Sequence, residues 1–213
     1  MNQSKFSLTA AQLRLLALAF MLLDHMGRTL FPAEIWMVCL GRLAFPIFAF
    51  QTAEGYRHTH DFRGYCLRLA VFALLSEIPF NLMVSGSVFH LRHQNVMLTL
   101  LLGLLCCRAW DRRSWPLLVF WFLVGAFTRC DYGSLGLLTV LMFHQFRGAN
   151  WTQLLFLALI NGLAYGFLSL QTFAVLAFFP IFLYRGEKGR GGKWLQYGSY
   201  AFYPLHMLIL GLL

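Results

Sequence analysis

Asp24 and His25 stand side by side near the end of the apolar run Leu13-Arg-Leu-Leu-Ala-Leu-Ala-Phe-Met-Leu-Leu-Asp-His-Met-Gly27. Such a run is long enough to cross a bilayer, where a charged side chain costs roughly 2.5–3.5 kcal/mol on insertion scales. A carboxylate beside a group that exchanges protons near neutral pH points to acid–base chemistry or proton movement. A polar pair joining two helices is the plainer alternative. Other polar residues fall at a matching depth. Arg42 sits about seven residues into the second apolar segment, and Glu77 lies in the outer third of the next, with Asn81 one turn on. Gln94 and Asn95 open the following segment and Asp131 a later one. At about 1.5 Å of rise per residue, His25 lies roughly 9 Å below the outer end of its span, so several helices send polar groups to one layer. Asp24 and Arg28 share a helical face at i,i+4. Arg42 suits either an ion pair with Asp24 or Glu77, or contact with a substrate. The ridge Asn95, Thr99, Gly103 reads as close helix packing.

A second set lies toward the opposite end of the spans. Gln51, Glu54 and His58 share one helical face, and the loop after them reads Glu54-Gly-Tyr-Arg-His-Thr-His-Asp-Phe-Arg63, with Arg68 a turn later. Arg57, His58, His60, Arg63 and Arg68 suit the phosphates of a phosphorylated donor, because guanidinium groups match phosphate geometry. Cytoplasmic positive charge of the ordinary kind explains them equally well. His58 and His60 lack a third ligand, and Cys39, Cys66, Cys106, Cys107 and Cys130 show no ligand spacing, so no metal is expected. Tyr203 and His206 stand one turn apart in the last segment, where His206 suits a passage lining, a second proton carrier or a buried hydrogen-bonded imidazole.

The elements that carry these residues follow from composition. Only 12% of the 213 residues are charged and 59% are hydrophobic, against roughly 25% charged in soluble domains. No period-two alternation appears, so the expected fold is an all-α polytopic transmembrane helix bundle. About nine spans are expected, near 10–31, 35–57, 65–85, 94–110, 114–129, 132–147, 151–167, 169–185 and 197–213, forming a single integral-membrane domain over 1–213. A first run this long, interrupted by Asp24-His25, reads as a retained span and not a signal peptide. With the N-terminus cytoplasmic, 13 of the 17 Lys and Arg residues fall inside, Lys5 among them, and Arg28, Arg42, Arg92 and Arg129 lie near outer ends. The net charge of +9 is then the positive-inside pattern, and nucleic acid is set aside as a partner.

The strings Leu23-Asp-His-Met-Gly27 and Gly41-Arg-Leu-Ala-Phe-Pro-Ile-Phe-Ala49 resemble the TraX family of bacterial membrane proteins. The likeness continues through Glu54-Gly-Tyr-Arg-His-Thr59, Ser76-Glu-Ile-Pro79, Gln94-Asn-Val96, Tyr132-Gly-x-x-Gly136 and Phe202-Tyr-Pro-Leu-His206, nearly the whole chain in order. That family takes its name from a conjugation protein that acetylates the pilin N-terminus. The resemblance implies a multi-pass protein of the bacterial inner membrane that moves an acetyl group from cytoplasmic acetyl-CoA to an outer acceptor: pilin, surface glycan, lipid or peptide. It also implies that Asp24, His25, Arg42, Glu54, Tyr132 and His206 belong to a shared polar core.

Acyl transfer needs a base for the acceptor proton and donors for the developing oxyanion. His25 is the expected base, with Asp24 or Glu77 orienting it. Arg42, Gln94 or Asn95 are expected at the oxyanion. The basic loop, Glu54 included, is expected to dock the donor. Direct transfer and an acyl-enzyme relay both fit. A proton-coupled transporter or channel is the rival class, since the same residues build proton pathways. It is disfavoured by the short chain and the lack of an internal repeat.

Overall fold

The computed structural model describes residues 7–90 and 92–213; Lys5 of the basic count lies outside them. The described residues are helical throughout, with only two isolated β-bridges, Leu8 with Tyr184 and Gln94 with Cys130. Each expected apolar segment holds a helix or a helix pair. In chain order they are α1 (Ala10–Thr29), α2 (Ile35–Gly41), α3 (Ala44–His58), α4 (Phe62–Ser85) and α5 (Val96–Asp111). There follow α6 (Trp115–Phe127), α7 (Gly133–Gln145), α8 (Asn150–Tyr165), a 3₁₀ segment (Leu170–Ala177), α9 (Phe178–Phe182) and α10 (Gly192–Leu212). Two stretches are long and apolar enough to cross a membrane: Ile35–His58, which is α2 and α3 together, and α4. The expectation of about nine spans therefore holds for helical character but not for length. α6 and the 3₁₀–α9 segment are apolar yet shorter.

Local chemistry sets the helix ends. Thr9 and Gln12 form a capping box at the start of α1, with Gln12 N–H donating to the Thr9 hydroxyl at 3.3 Å. Asp61 caps α4 by accepting from Gly64 N–H at 2.8 Å, and Asn95 caps α5 by accepting from Met97 N–H at 3.1 Å. Pro46 has no N–H to offer the Arg42 carbonyl, which accounts for the turn at Arg42–Leu43 between α2 and α3.

The chain divides into two compact units. The first holds the described residues through Gln51 together with Gly148–Ser199; the second holds Thr52–Arg147 and Tyr200–Leu213. In the first unit, α1 buries Leu13, Ala17, Met21, Asp24 and Gly27 at i+3 and i+4 intervals, so Asp24 occupies a core-face position. Helix α2 crosses that face at very short range. A Cβ added to Gly41 would fall 2.6 Å from Asp24 Cα, and one added to Gly27 would fall 3.0 Å from Met37 Cβ. Backbone blocks the space at Gly41, so Gly41→Ala is expected to force α1 and α2 apart at a cost of about 1–3 kcal/mol. Thermal unfolding in detergent should show the lowered melting temperature.

In the second unit, α4, α6 and α7 surround α5. Leu102, Leu104, Cys106 and Cys107 on α5 are buried, and Gly103 admits Val140 of α7. On α4 the residues Leu67, Val71, Leu74, Leu75 and Ile78 are exposed along one face, with Leu74 77% accessible. A contiguous apolar face of this kind is uncommon where only water covers it.

Candidate functional site

Two polar clusters lie in the second unit and one in the first. In the first unit, both carboxylate oxygens of Asp24 are held by guanidinium groups. Arg28 Nε approaches Oδ2 at 3.0 Å, and Arg42 donates to Oδ1 through Nε at 3.1 Å and through Nη2. Arg42 also donates from Nη1 to Gln171 Oε1 at 3.1 Å, and Gln171 in turn donates to Asn161 Oδ1 at 3.3 Å. Of the two carboxylates named from sequence as partners for Arg42, Asp24 and Glu77, Asp24 pairs with it. Gln171 and Asn161 were not singled out from sequence, although a buried Gln on a 3₁₀ segment within an apolar run is a signal of the same kind. His25 is half-buried, and its carbonyl accepts from the Thr29 hydroxyl at 2.8 Å.

The second unit gathers the other expected outer-layer residues around the start of α5. Asn95, 1% exposed, donates from Nδ2 to Glu77 Oε2 at 2.6 Å and to the Ala73 carbonyl at 2.9 Å. The loop before α7 is sewn to this helix start. Gln94 N–H donates to the Arg129 carbonyl at 3.2 Å, Asp131 N–H donates to the Gln94 carbonyl at 2.8 Å, and the Thr99 hydroxyl donates to the Asp131 carbonyl. Gln94 thus acts through its backbone. Tyr132 follows with φ +64, a left-handed conformation that costs a non-glycine residue about 1–3 kcal/mol and concentrates at functional sites. Tyr203 of α10 is buried, and its phenolic oxygen accepts from Val96 N–H at 3.3 Å.

His206, one turn beyond Tyr203, is buried with its ring 6.0 Å from the Tyr203 ring and stacked on Phe202. Its Nδ1 lies 2.7 Å from the Phe202 carbonyl. A carbonyl can only accept, so Nδ1 carries the proton and Nε2 is the basic nitrogen. Asn81, one turn from Glu77, donates to the Val88 carbonyl at 3.3 Å, while its buried Oδ1 has no hydrogen-bond partner among the described residues.

His93, ahead of α5, pairs with Asp131 at 3.4 Å and stacks on Phe80. The hydrogen bond to Asp131 raises its pKa above the usual histidine value; desolvation opposes this, and the Asp131 and Glu77 charges add to the rise. A raised folded-state pKa means that the pair stabilises fully below the unfolded value, about 6.5, and that this stabilisation fades as pH rises through the folded value. The gap in melting temperature between wild type and His93→Gln should therefore be widest near about pH 6 and shrink toward about pH 8.5. A gap independent of pH would contradict the pairing.

The opposite end of the second unit, where the donor loop was expected, carries a denser network than the sequence suggested. Arg147 grips Glu54 through Nε at 2.8 Å and Nη2 at 3.3 Å, and His58 lies 3.5 Å from the same carboxylate. Arg57 donates to the His144 carbonyl. His144, 5% exposed, meets Asp111 through Nε2 at 2.8 Å and has Tyr56 edge-on to its ring, while its buried Nδ1 lacks a hydrogen-bond partner among the described residues. Arg68 Nη1 stands 4.0 Å from Asp61. Of the residues expected at the donor loop, Arg63 lines a pocket together with His60, Asp61 and Phe62; Glu54, Arg57 and His58 make the contacts above. Arg108 and Arg112, read from sequence only as inner charge, line the same pocket. Among the described residues no group of three His, Cys, Asp or Glu side chains is placed to hold a metal.

Comparison with known proteins gives one consistent picture. A family model described as TraX protein matches residues 9–213. The probable fimbrial assembly protein FimC, serogroup H1, of Dichelobacter nodosus is similar at 30% identity, over 95% of this chain and 94% of that protein. No solved structure matches.

Proposed function

This chain belongs to the TraX family, and from that premise we propose that it is a membrane-embedded acyltransferase. In this reading it moves an acetyl group from cytoplasmic acetyl-CoA to an amine or hydroxyl acceptor at the outer side of the bacterial inner membrane. A pilin-type N-terminus is the first acceptor to try, because the similar protein is named for fimbrial assembly; a surface glycan, lipid or peptide follows. A multi-pass position in the membrane is supported by the two span-length stretches and by the exposed apolar face of α4.

The observation that carries the reading is the run of contacts at the start of α5, where Glu77 accepts from Asn95, the Tyr203 oxygen accepts from Val96 N–H, and the His206 ring lies 6.0 Å from the Tyr203 ring. We assign the base to His206 Nε2. It takes the proton from the acceptor as the acceptor nitrogen or oxygen attacks the thioester carbonyl carbon. The new C–N or C–O bond forms, the C–S bond breaks, and the CoA thiolate leaves and is protonated. The Tyr203 hydroxyl, whose oxygen accepts from Val96 N–H, keeps its own hydrogen to offer the oxyanion, whereas both Asn95 amide hydrogens are already donated. Asn81 Oδ1 is suited to receive an acceptor N–H or O–H. His25 stands second as base, because the carboxylate beside it is already held by Arg28 and Arg42. Asp24 and Arg42 are given the role of locking α1 to α2.

The test is release of the CoA thiol by purified protein with acetyl-CoA and a pilin-type N-terminal peptide. One thiol per acetylated peptide supports transfer. Proton or solute flux without thiol release favours the transporter class.

A further inference from the structure

The pocket at the inner end of the second unit has a volume of about 440 Å³ and is lined by His60, Asp61, Phe62, Arg63, Arg108 and Arg112. We infer that it is a binding site for a phosphorylated ligand, sized and charged for a diphosphate group. Three guanidinium groups face it, and its one carboxylate is already engaged. Asp61 Oδ1 accepts from Gly64 N–H at 2.8 Å to cap α4, and Oδ2 lies 4.0 Å from Arg68. Arg63 and Arg112 make no ion pair among the described residues, and Arg108 is held by its face over the Phe62 ring, 4.3 Å from the centroid. The pocket therefore sets three guanidinium groups against one carboxylate.

Two further features favour an anion there. The first turn of α4 opens at the pocket, so its N-terminal dipole adds to the guanidinium field. On the same helix, Arg68 keeps a buried Nε without a hydrogen-bond partner among the described residues. Arginine forks hold phosphate oxygens in pairs, which suits two linked phosphates to three arginines.

Assigning this ligand as the acyl donor rests on the acyltransferase reading; the anion site does not. Helix α5 carries Arg108 at one end of the second unit and follows Asn95 at the other, 13 residues or about 20 Å away. A donor with its phosphates in the pocket and a thioester arm of that length would reach the polar cluster along α5.

Calorimetric titration of inorganic pyrophosphate into the detergent-purified full chain tests the site, with Arg63→Gln/Arg112→Gln and Arg190→Gln as variants. All three positions are exposed, and melting temperatures confirm folding. Saturable binding, weakened about tenfold or more in the double variant and unchanged in Arg190→Gln, is the expected result. No pyrophosphate binding, or equal weakening in Arg190→Gln, would overturn the site. Repeating the titration in phosphatidylcholine and phosphatidylglycerol nanodiscs separates the sources of phosphate. Affinity lost only with the anionic lipid shows that lipid headgroups occupy the same site; affinity retained in both shows a soluble ligand's site. Pyrophosphate binding in a protein that releases no CoA thiol would leave the pocket standing and remove the acyltransferase reading alone.

Discussion

Asp24→Ala is expected to destabilise the first unit by about 3–5 kcal/mol, the usual result of removing one partner from a buried ion pair. The side chain of Arg42 is only 10% accessible, so its charge would stay buried without the carboxylate, beside Gln171. Against a total stability of about 5–15 kcal/mol, a loss of that size is a large fraction of the whole. Arg28 provides the internal control. Its side chain is 53% accessible, and Arg28→Ala should cost under about 1 kcal/mol although it contacts the same carboxylate. Replacing both members, as in Asp24→Leu/Arg42→Leu, should recover part of the loss, because no charge is then left without its partner. Thermal or chemical denaturation of the detergent-solubilised variants reads all three. An Asp24→Ala protein as stable as wild type would mean that the pair does not lock the helices.

His206→Gln is expected to lower acetyl transfer by about 10²–10⁴-fold, the range for removing a positioned general base, while leaving the protein folded. Glutamine keeps an amide donor for the Phe202 carbonyl, so the hydrogen bond at Nδ1 has a substitute and the basic Nε2 does not. The loss should therefore appear in turnover more than in the binding of donor or acceptor. Glu77→Gln keeps the contact with Asn95 in neutral form and should cost less than His206→Gln. Equal losses in turnover from His25→Ala and none from His206→Gln would return the base to α1.

Much of the fold was legible because the chain is written in apolar blocks. The expected segments and the observed helices agree to within a few residues at most ends, and Asn95 opens α5 as expected, but the break ahead of Pro46 divides a segment expected as one. What length alone did not support is the span count, since helices such as α6, at 13 residues, fall short of a bilayer's hydrocarbon core. The Asp24–Arg42 pair was one of the open pairings at the sequence level, because depth along each segment limits which charges can meet. Partnerships between distant segments had no such guide. Gln171 reaches Arg42 across 129 positions, and His144 reaches Asp111 across 33. Neither depends on spacing along one helix. His144 carries the same signal as His25, an imidazole at the edge of an apolar run, and was not singled out. Arg108 and Arg112 read only as part of the inner positive charge, and the pocket they share with Arg63 sets them apart.

The most direct measurement is transfer of label from radiolabelled acetyl-CoA in inside-out membrane vesicles that contain wild type, His206→Gln or His25→Ala, with a pilin-type acceptor present. The acyltransferase reading expects a labelled acceptor with wild type, a loss of at least about a hundredfold with folded His206→Gln, and a smaller effect of His25→Ala. No labelled acceptor or enzyme with wild type, in vesicles that do show protein-dependent proton or solute flux, would contradict it.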